Sequence, residues 1–255
     1  MPIMPAEESD ANPRERFFDL IGVCWRQWRV ERQLRGRGID FRSTDPELVR
    51  AAYAHMSPAE FAAINGRHAW ANARTLRKSL AGLIPDRPVR TIDLGSGSGT
   101  STRVLARLLP RGSRIVGLEF TNSLAEAARR QRYVAADGSP QQVTFAVGSV
   151  AETFIDAEGG EIASGTADLV NASGVLGHHL NEAGIVHAVD EVHRVLASGG
   201  IAALDVGPNL SAARLTDLMR ARGFTRLRRS RGQPFDRTGQ VVFHKSISSS
   251  DWRTM

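Results

Sequence analysis

Cysteine is almost absent from this sequence, since Cys24 is the only one among 255 residues. A single cysteine forms no intrachain disulfide, and it cannot supply the several thiolates of an iron–sulfur cluster or a thiolate-rich metal site. Long apolar runs are missing too, because no stretch approaches the roughly 20 apolar residues that a membrane-spanning helix needs. The first residues also lack the basic-then-apolar pattern of a secretory signal. We therefore expect a cytoplasmic protein without a membrane span.

Lysine is scarce as well: Lys78 and Lys245 are the only two, so the net charge of +6 comes almost entirely from arginine. Positive charge suits a nucleic-acid partner, because Lys and Arg neutralise phosphates. Most of this charge is dispersed, however, and the one dense patch (220–231) contains a single aromatic residue, Phe224, that could stack on bases. A nucleic-acid partner is therefore an alternative and not the first expectation.

The apolar share of 42% is ordinary for a globular chain, and the length suits one large domain or a core with a modest appendage. The first third is predicted to be helical. Apolar and aromatic residues recur at helical spacing over 15–37, and further helical patterns follow up to residue 83, with a break near Gly66. We expect residues 1–84 to form an N-terminal helical lid that also contacts the substrate.

The remainder alternates β-branched runs with helical patterns, as a parallel α/β sheet does. Strands are predicted at 89–95, 114–120, 143–148, 167–173, 200–207, 225–230 and 240–245. Helices are predicted at 101–109, 123–133, 182–196 and 211–222, with Ser123 and Glu126 as a capping box. This pattern predicts a Rossmann-like α/β fold. Its seven-stranded, mostly parallel sheet spans 85–247 and ends in a hairpin, ahead of a flexible tail at 248–255.

A glycine-rich turn, DLGSGSG from Asp93 to Gly99, directly follows the first predicted strand and precedes a helix. Glycine suits a sharp turn whose backbone lies close to a ligand. The spacing is G-x-G-x-G, whereas dinucleotide-binding turns have G-x-G-x-x-G. The carboxylate two residues before the first glycine would repel a diphosphate but tolerates a cationic amine or sulfonium. A glycine-rich turn without a ligand is the alternative.

Glu119 stands at the end of the second predicted strand. A carboxylate there has the two acceptor oxygens needed to bind both hydroxyls of a ribose. The alternative is a solvent-facing glutamate at a strand end. Its separation from the glycine turn favours the ribose role.

The chain from residue 89 to 245 resembles the class I, Rossmann-like S-adenosylmethionine (SAM)-dependent methyltransferases. It is similar above all to the small-molecule group that includes quinone C-methyltransferases. The resemblance is carried by four blocks: VRTIDLGSGSGTSTRVLARL, GLEFTNSLAEAARR, ADLVNASGVLGHHL and EVHRVLASGGIAALDVG.

The resemblance implies SAM as cofactor and a set of residues that contact it. The residues implied around the methionine half are Asp93, Gly95, Ser96, Gly97 and Gly99, and those at the ribose are Glu119 and Phe120. Asn171, Ala172 and Ser173 would line the floor near the sulfonium, and Ser149 and Val150 would lie near the adenine. Ser149 departs from the acidic residue that the family often has there. The Asn/Asp-Pro-Pro-Tyr/Phe signature of adenine or glutamine amino-group methylation is absent.

Methyl transfer from a sulfonium mainly requires alignment and exclusion of water, so a general base is optional. His178 and His179 follow the fourth predicted strand, at the edge where open α/β sheets bind ligands. Either imidazole could take a proton from the acceptor, and packing in the loop is the alternative. Tyr53, His68 and Trp70 are candidate substrate contacts. No spacing indicates a metal site.

Three functions remain open from the sequence. The first is a SAM-dependent methyltransferase that acts on an O, N or C atom of a small molecule. The second is an RNA methyltransferase that uses the arginine-rich 220–231 region, and the third is a SAM-binding protein without catalysis. A homodimer is also left open.

Overall fold

The first part of the chain is helical. The computed structural model describes residues 15–246 except 42, 44, 234, 235 and 237, so the predicted tail at 248–255 lies outside the described residues. The helices are α1 (Glu15–Gly36), α2 (Pro46–Ala54), α3 (Pro58–Ile64) and α4 (Gly66–Leu80). The break predicted near Gly66 separates α3 from α4. Ser57 is the N-cap of α3 and forms a capping box with Glu60. The Ser57 hydroxyl accepts from the Glu60 backbone N–H, and the Glu60 carboxylate accepts from the Ser57 backbone N–H.

All seven predicted strands are present in one mixed sheet. They are β1 (Arg90–Leu94), β2 (Arg114–Glu119), β3 (Gln142–Val147), β4 (Ala167–Ala172), β5 (Leu196–Val206), β6 (Phe224–Ser230) and β7 (Gly239–Lys245). Their spatial order is β3-β2-β1-β4-β5-β7-β6. The first five strands are parallel, and β7 runs antiparallel between β5 and β6. The predicted fold class and the terminal hairpin are confirmed.

The strand order positions the ligand site. The chain leaves β1 towards β2 and β3, and then returns to β4 on the other side of β1. The connections that follow β1 and β4 therefore diverge and leave a crevice at the carboxyl edge of the sheet, where open α/β folds bind ligands. The turn after β1 and the short segment after β4 form the two sides of that crevice.

In the part of the chain that the structure describes, five further helices flank the sheet: α5 (Thr100–Leu108), α6 (Asn122–Arg129), α7 (Leu176–His179), α8 (Glu182–Val195) and α9 (Ala212–Arg220). The predicted capping box at the start of α6 is wrong, because the N-cap is Thr121 and Ser123 lies inside the first turn. Glu126 accepts instead from the Asn122 side chain at 3.1 Å. The short helix α7 was not predicted, since four residues are too few to show helical periodicity.

Apolar side chains form a core on each face of the sheet and a third cluster among the N-terminal helices. The third cluster contains Leu34 of α1, Tyr53 of α2 and Ile64 of α3, and it also includes Leu124 of α6. Because Leu124 belongs to the sheet domain, this cluster holds the N-terminal helices against the carboxyl edge of the sheet. Within the described residues, no helix is long and apolar enough to cross a membrane.

Candidate functional site

The glycine turn needs a backbone that other residues rarely adopt. Gly95, Gly97 and Gly99 have φ values of +62°, +54° and +88°, in the left-handed region where a Cβ is unfavourable. Three such residues reverse the chain between the end of β1 and the first residue of α5. The geometry therefore supports the prediction that this turn requires glycine.

The N-terminal helices lie directly on this turn. A Cβ added to Gly97 would stand 2.9 Å from the Phe61 ring of α3, and one added to Gly95 would stand 2.9 Å from Val175. The turn is thus enclosed by α3 on one side and by the segment before α7 on the other. Phe61 was not among the predicted site residues, because nothing local in the sequence places α3 against residue 97.

Gly97→Ala should destabilise the protein by about 2 kcal/mol, since it combines a left-handed backbone with a steric contact to Phe61. Gly138→Ala is the matched control: its φ is +82°, but no atom lies within 4 Å of the added Cβ. Urea unfolding of both variants, with and without Phe61→Ala, measures the contact. If Phe61→Ala reduces the loss of stability in neither glycine variant, or reduces it equally in both, α3 does not contact the turn.

Glu119 lies at the end of β2 with its carboxylate buried beside the turn. Its Oε2 accepts from the backbone N–H of Gly97 and its Oε1 from that of Thr121, each at 2.9 Å. Burial raises the pKa of Glu119, and these two hydrogen bonds oppose that rise. The Phe120 backbone N–H also acts on this carboxylate. The carboxylate therefore holds the turn and borders the cavity.

Asp93 is fully buried beneath the turn and belongs to a polar network. Its Oδ2 accepts from the hydroxyls of Ser101 (2.8 Å) and Thr102 (2.6 Å), and its Oδ1 accepts from Asn171 Nδ2 at 2.7 Å. Asn171 Oδ1 in turn accepts from Gln240 at 2.9 Å. Burial raises the pKa of Asp93 in spite of these three donors. Here the carboxylate ties the start of α5 to the strands.

A cavity that opens to solvent lies between the turn and helices α2–α4. Nine of the predicted site residues line it: Tyr53, His68, Gly95, Ser96, Gly97, Glu119, Phe120, Ser173 and His179. Eight others lie outside its lining: Trp70, Asp93, Gly99, Ser149, Val150, Asn171, Ala172 and His178. Sequence reasoning missed Phe61 of α3, Asn72 of α4 and Asn65 between these helices, which reach the cavity only through tertiary packing.

Three of the residues outside the lining have other contacts. Val150 is buried in the hydrophobic core, and the Ser149 hydroxyl accepts from the Ala151 N–H at 3.1 Å. Trp70 carries the Arg74 guanidinium over its ring, with the guanidinium carbon 4.1 Å from the ring centroid. Their predicted roles at the adenine and the substrate stay predictions.

His179 of α7 faces the cavity in a neutral form. Burial, reinforced by the nearby His178, lowers its pKa to about 4. Burial raises the pKa of Tyr53 well above its ordinary value, and its protonated hydroxyl shares a hydrogen bond of 3.1 Å with His179 Nε2. Nδ1 of His179 is buried with no hydrogen-bond partner among the described residues.

His178 points away from the cavity towards Thr238 of the β6–β7 connection. The Thr238 hydroxyl donates its hydrogen to Asp236 Oδ1 at 2.8 Å, so the 3.2 Å contact to His178 Nε2 requires that Nε2 donates. Asp205, at the end of β5, accepts from three backbone N–H groups around the start of α7, between 2.9 and 3.2 Å. These contacts hold α7 at the cavity wall.

Some arginines of the 220–231 region make contacts within the protein. Arg222 pairs with Asp190 at 2.6 Å, and Arg228 donates to the carbonyls of Lys78 and Ala81 at the end of α4. Arg226, Arg229 and Arg231 are exposed along and just beyond the edge strand β6. Among the described residues, no group of three or more His, Cys, Asp or Glu side chains could hold a metal ion.

Comparisons with known proteins agree with this geometry. Residues 92–202 match the sequence family described as a methyltransferase domain. A comparison with curated protein sequences finds no match.

Solved structures share the fold at low sequence identity. A methyltransferase in complex with the Trm112 methyltransferase activator of Haloferax volcanii is 16% identical, with a TM-score of 0.57 over 74% of this chain and 96% of that one. The CurJ carbon methyltransferase is 14% identical, with a TM-score of 0.58 over 92% of this chain and 72% of that one. The [4+2]-cyclase SpnF is 16% identical, with a TM-score of 0.51 over 76% of this chain and 84% of that one.

The matched domain spans β1 to β5 and includes the glycine turn and Glu119. The seven-stranded sheet around it has the Rossmann-like order with an antiparallel seventh strand. Residues 92–202 thus resemble a methyltransferase domain, and the sheet around them has the fold of the class I SAM-dependent methyltransferases.

Proposed function

We propose that this protein binds SAM against the glycine turn and transfers its methyl group to a small molecule held under the N-terminal helices. The observation that carries the proposal is the shared cavity: the turn, Glu119 and side chains of α2, α3 and α4 line one space. SAM supplies a methyl group on a sulfonium, so the protein needs to hold the cofactor, align the acceptor and exclude water.

The residues of the turn fit such a cofactor. The glycines permit the left-handed backbone of the turn, and Gly95 and Gly97 line the cavity beside Glu119. Glu119 places a carboxylate at the cavity for a ribose diol, and Ser96 Oγ is buried without a hydrogen-bond partner among the described residues. An unpaired buried hydroxyl is costly, so a ligand donor or acceptor beside it would be favourable.

The roof of the cavity favours a small acceptor. Tyr53 packs edge-on against Phe61, with ring centroids 5.2 Å apart, and stacks on Phe120 at 5.8 Å. These rings join α2 and α3 to the residue that follows Glu119, so the site is covered by an aromatic layer. We propose that residues 1–84 act as a lid that opens to admit ligands, with 85–247 as the SAM-binding domain.

The alternatives rest on weaker observations. RNA methylation would use the three exposed arginines of the β6 edge, but β7, β5 and β4 separate that edge from the central strand β1. Binding of SAM without methyl transfer is compatible with the fold, since one protein of similar fold is named as a cyclase. Fold alone therefore does not decide the reaction.

Methyl-labelled SAM tests these functions directly. The protein is incubated with deproteinised cell extract, with total RNA and with a protein fraction, and the label is followed into each. We expect label in the small-molecule extract alone, unchanged in a variant that carries Arg226→Glu and Arg229→Glu. Labelled RNA that disappears in that variant would support the RNA alternative. Calorimetric binding of SAM with no label in any fraction would support the non-catalytic one.

A further inference from the structure

Three large apolar side chains are exposed along one side of α1, which we call its outer face. Ile21, Trp25 and Trp28 have exposed fractions of 79%, 58% and 54%. Their spacing of four and then three residues places them in one stripe of the helix. Six large apolar side chains are exposed among the described residues, and half of them belong to this stripe. Such a concentration exceeds the scattered exposure that is normal for a protein surface, so it indicates a docking face.

The opposite side of α1 is buried against the other N-terminal helices. Val30 and Leu34 belong to the apolar cluster that α2 and α3 share. Gln27 Oε1 accepts from the guanidinium of Arg67 in α4 at 3.1 Å. These contacts fix the rotation of the helix about its axis and leave the stripe facing solvent. Helix α1 thus has two apolar sides, and within the described residues the protein covers one of them.

The outer face also carries positive charge. Four exposed arginines accompany the stripe: Arg26, Arg29, Arg32 and Arg35. Glu31 is the only carboxylate among residues 20–36, and it is buried and accepts from Arg35 at 3.1 Å. The solvent side of the helix is therefore both apolar and cationic. Charge complementarity calls for a partner that offers anionic groups beside an apolar region.

Two of these arginines lie over the tryptophan rings. The guanidinium carbon of Arg29 is 5.1 Å from the ring centroid of Trp25, and that of Arg32 is 5.7 Å from the centroid of Trp28. These cation–π pairs place charge directly beside the apolar stripe. A bilayer interface has the matching arrangement, with anionic headgroups next to an apolar region, and tryptophan is favoured at that depth.

We propose that the outer face of α1 binds the surface of an anionic lipid bilayer, with the helix lying in the plane of the interface. Ile21, Trp25 and Trp28 enter the boundary between headgroups and acyl chains, and the arginines contact lipid phosphates. A bilayer needs no groove of complementary shape, which suits a single convex helix face. The inference is independent of the proposed methyl transfer, because no residue of α1 lines the cavity.

A second copy of this chain is a poorer occupant of the outer face. Two such faces packed on each other bring the arginines of both copies together. The carboxylate of Glu31 cannot compensate, because it is buried and already accepts from Arg35 of its own helix. Like charges that face each other across an interface are unfavourable.

A nucleic acid also offers phosphates but fits this face less well. Bases bind by stacking on open ring faces, and a guanidinium lies over one face of both Trp25 and Trp28. Ile21 is the most exposed residue of the stripe and has no ring on which a base could stack. Burial of its aliphatic side chain requires an apolar medium, which the acyl region of a bilayer provides.

Co-sedimentation of the full chain with lipid vesicles tests the proposal. Vesicles of phosphatidylglycerol and phosphatidylcholine are compared with vesicles of phosphatidylcholine alone. We expect the protein to bind the anionic vesicles, and the binding to weaken as salt is added. Trp25→Ala with Trp28→Ala should weaken it about 30-fold, because the apolar contact is lost. Arg29→Gln with Arg32→Gln should weaken it about 25-fold, at about fivefold for each arginine.

The edge strand β6 provides matched control variants. Arg226→Gln with Arg229→Gln removes the same charge from exposed positions of β6, and Leu227→Ala removes an apolar side chain that is 46% exposed. Both should leave vesicle binding unchanged. Every substituted side chain is exposed, so the Tm measured by circular dichroism should equal that of the wild type in all four variants. Lipids with brominated acyl chains should quench the tryptophan fluorescence of the wild type, since its rings reach the acyl boundary.

Several results would overturn the proposal. If the wild type stays in the supernatant with anionic vesicles, or binds them no better than the Trp25→Ala, Trp28→Ala variant, the outer face does not bind lipid. A wild-type dimer in analytical ultracentrifugation that dissociates in the tryptophan variant would assign this face to a second copy. Retention of single-stranded RNA that the tryptophan variant loses, without vesicle binding, would assign it to nucleic acid.

Discussion

Glu119→Gln should weaken SAM binding about 100-fold while the protein stays folded. The glutamine keeps one acceptor oxygen, but its NH₂ group must face the backbone N–H of either Gly97 or Thr121, both of which now donate to the carboxylate at 2.9 Å. Two donors facing each other displace the side chain, and the ribose loses a charged acceptor. Loss of one or two hydrogen bonds to a charged group costs about 2–4 kcal/mol, which matches that loss of affinity.

Isothermal calorimetry with SAM and with its demethylated product measures this effect. Glu126→Gln is the matched control, because Glu126 is an exposed residue of α6 that contacts Asn122. The ionised carboxylate is the binding form, and burial raises the pKa of Glu119. Affinity in the wild type should therefore fall as the pH is lowered, starting above the ordinary range of a glutamate. Equal affinity in wild type and Glu119→Gln would show that the nucleoside does not reach this carboxylate.

Asp93→Ala should lower the free energy of unfolding by about 3 kcal/mol or more. The change removes the acceptor of three side-chain donors, Ser101, Thr102 and Asn171, at a fully buried position. The two hydroxyls then lose this acceptor, and Asn171 Nδ2 keeps only its 3.3 Å contact to Ser173 Oγ. A buried polar group without a partner costs about 1–3 kcal/mol. The start of α5 would lose its attachment to β1 and β4, so the glycine turn should also become less ordered.

Urea unfolding followed by circular dichroism provides the measurement, and Asp217→Ala on the exposed face of α9 provides the control. Asp93→Asn should be intermediate in stability, because one amide oxygen remains as acceptor for the hydroxyls. If Asp93→Ala unfolds like the wild type but no longer binds SAM, the carboxylate contacts the cofactor and does not serve the network. That result would restore the role implied by the family resemblance.

The fold could be predicted from the sequence because its signals are local. Apolar alternation marks strands, helical spacing marks α5, α8 and α9, and the spacing of three glycines marks the turn after β1. Each signal lies within a few residues of chain. The two errors, the missed helix α7 and the wrong capping box of α6, arise where the local signal is weak. Helix α7 is too short to show helical periodicity, and both Thr121 and Ser123 carry a hydroxyl at the start of α6.

The site also contains residues that a local sequence signal predicts and residues that only packing places. Glu119 and the glycine turn were found because both stand at the ends of predicted strands, and parallel strands bring their carboxyl ends to one edge. Asp93 was found as a residue of the turn, but its direction, away from the cavity and towards Ser101, Thr102 and Asn171, depends on how α5 and β4 pack.

The sequence by itself determined the α/β class, the seven strands with their terminal hairpin and the residues that stand at the carboxyl ends of β1 and β2, since these follow from patterns within single elements. Only the tertiary structure decided what covers that edge and which histidine has an acidic partner. Phe61 reaches Gly97, and His68 reaches Asp236, across 36 and 168 positions of chain respectively. Such contacts arise from the packing of whole elements, and no local spacing encodes them.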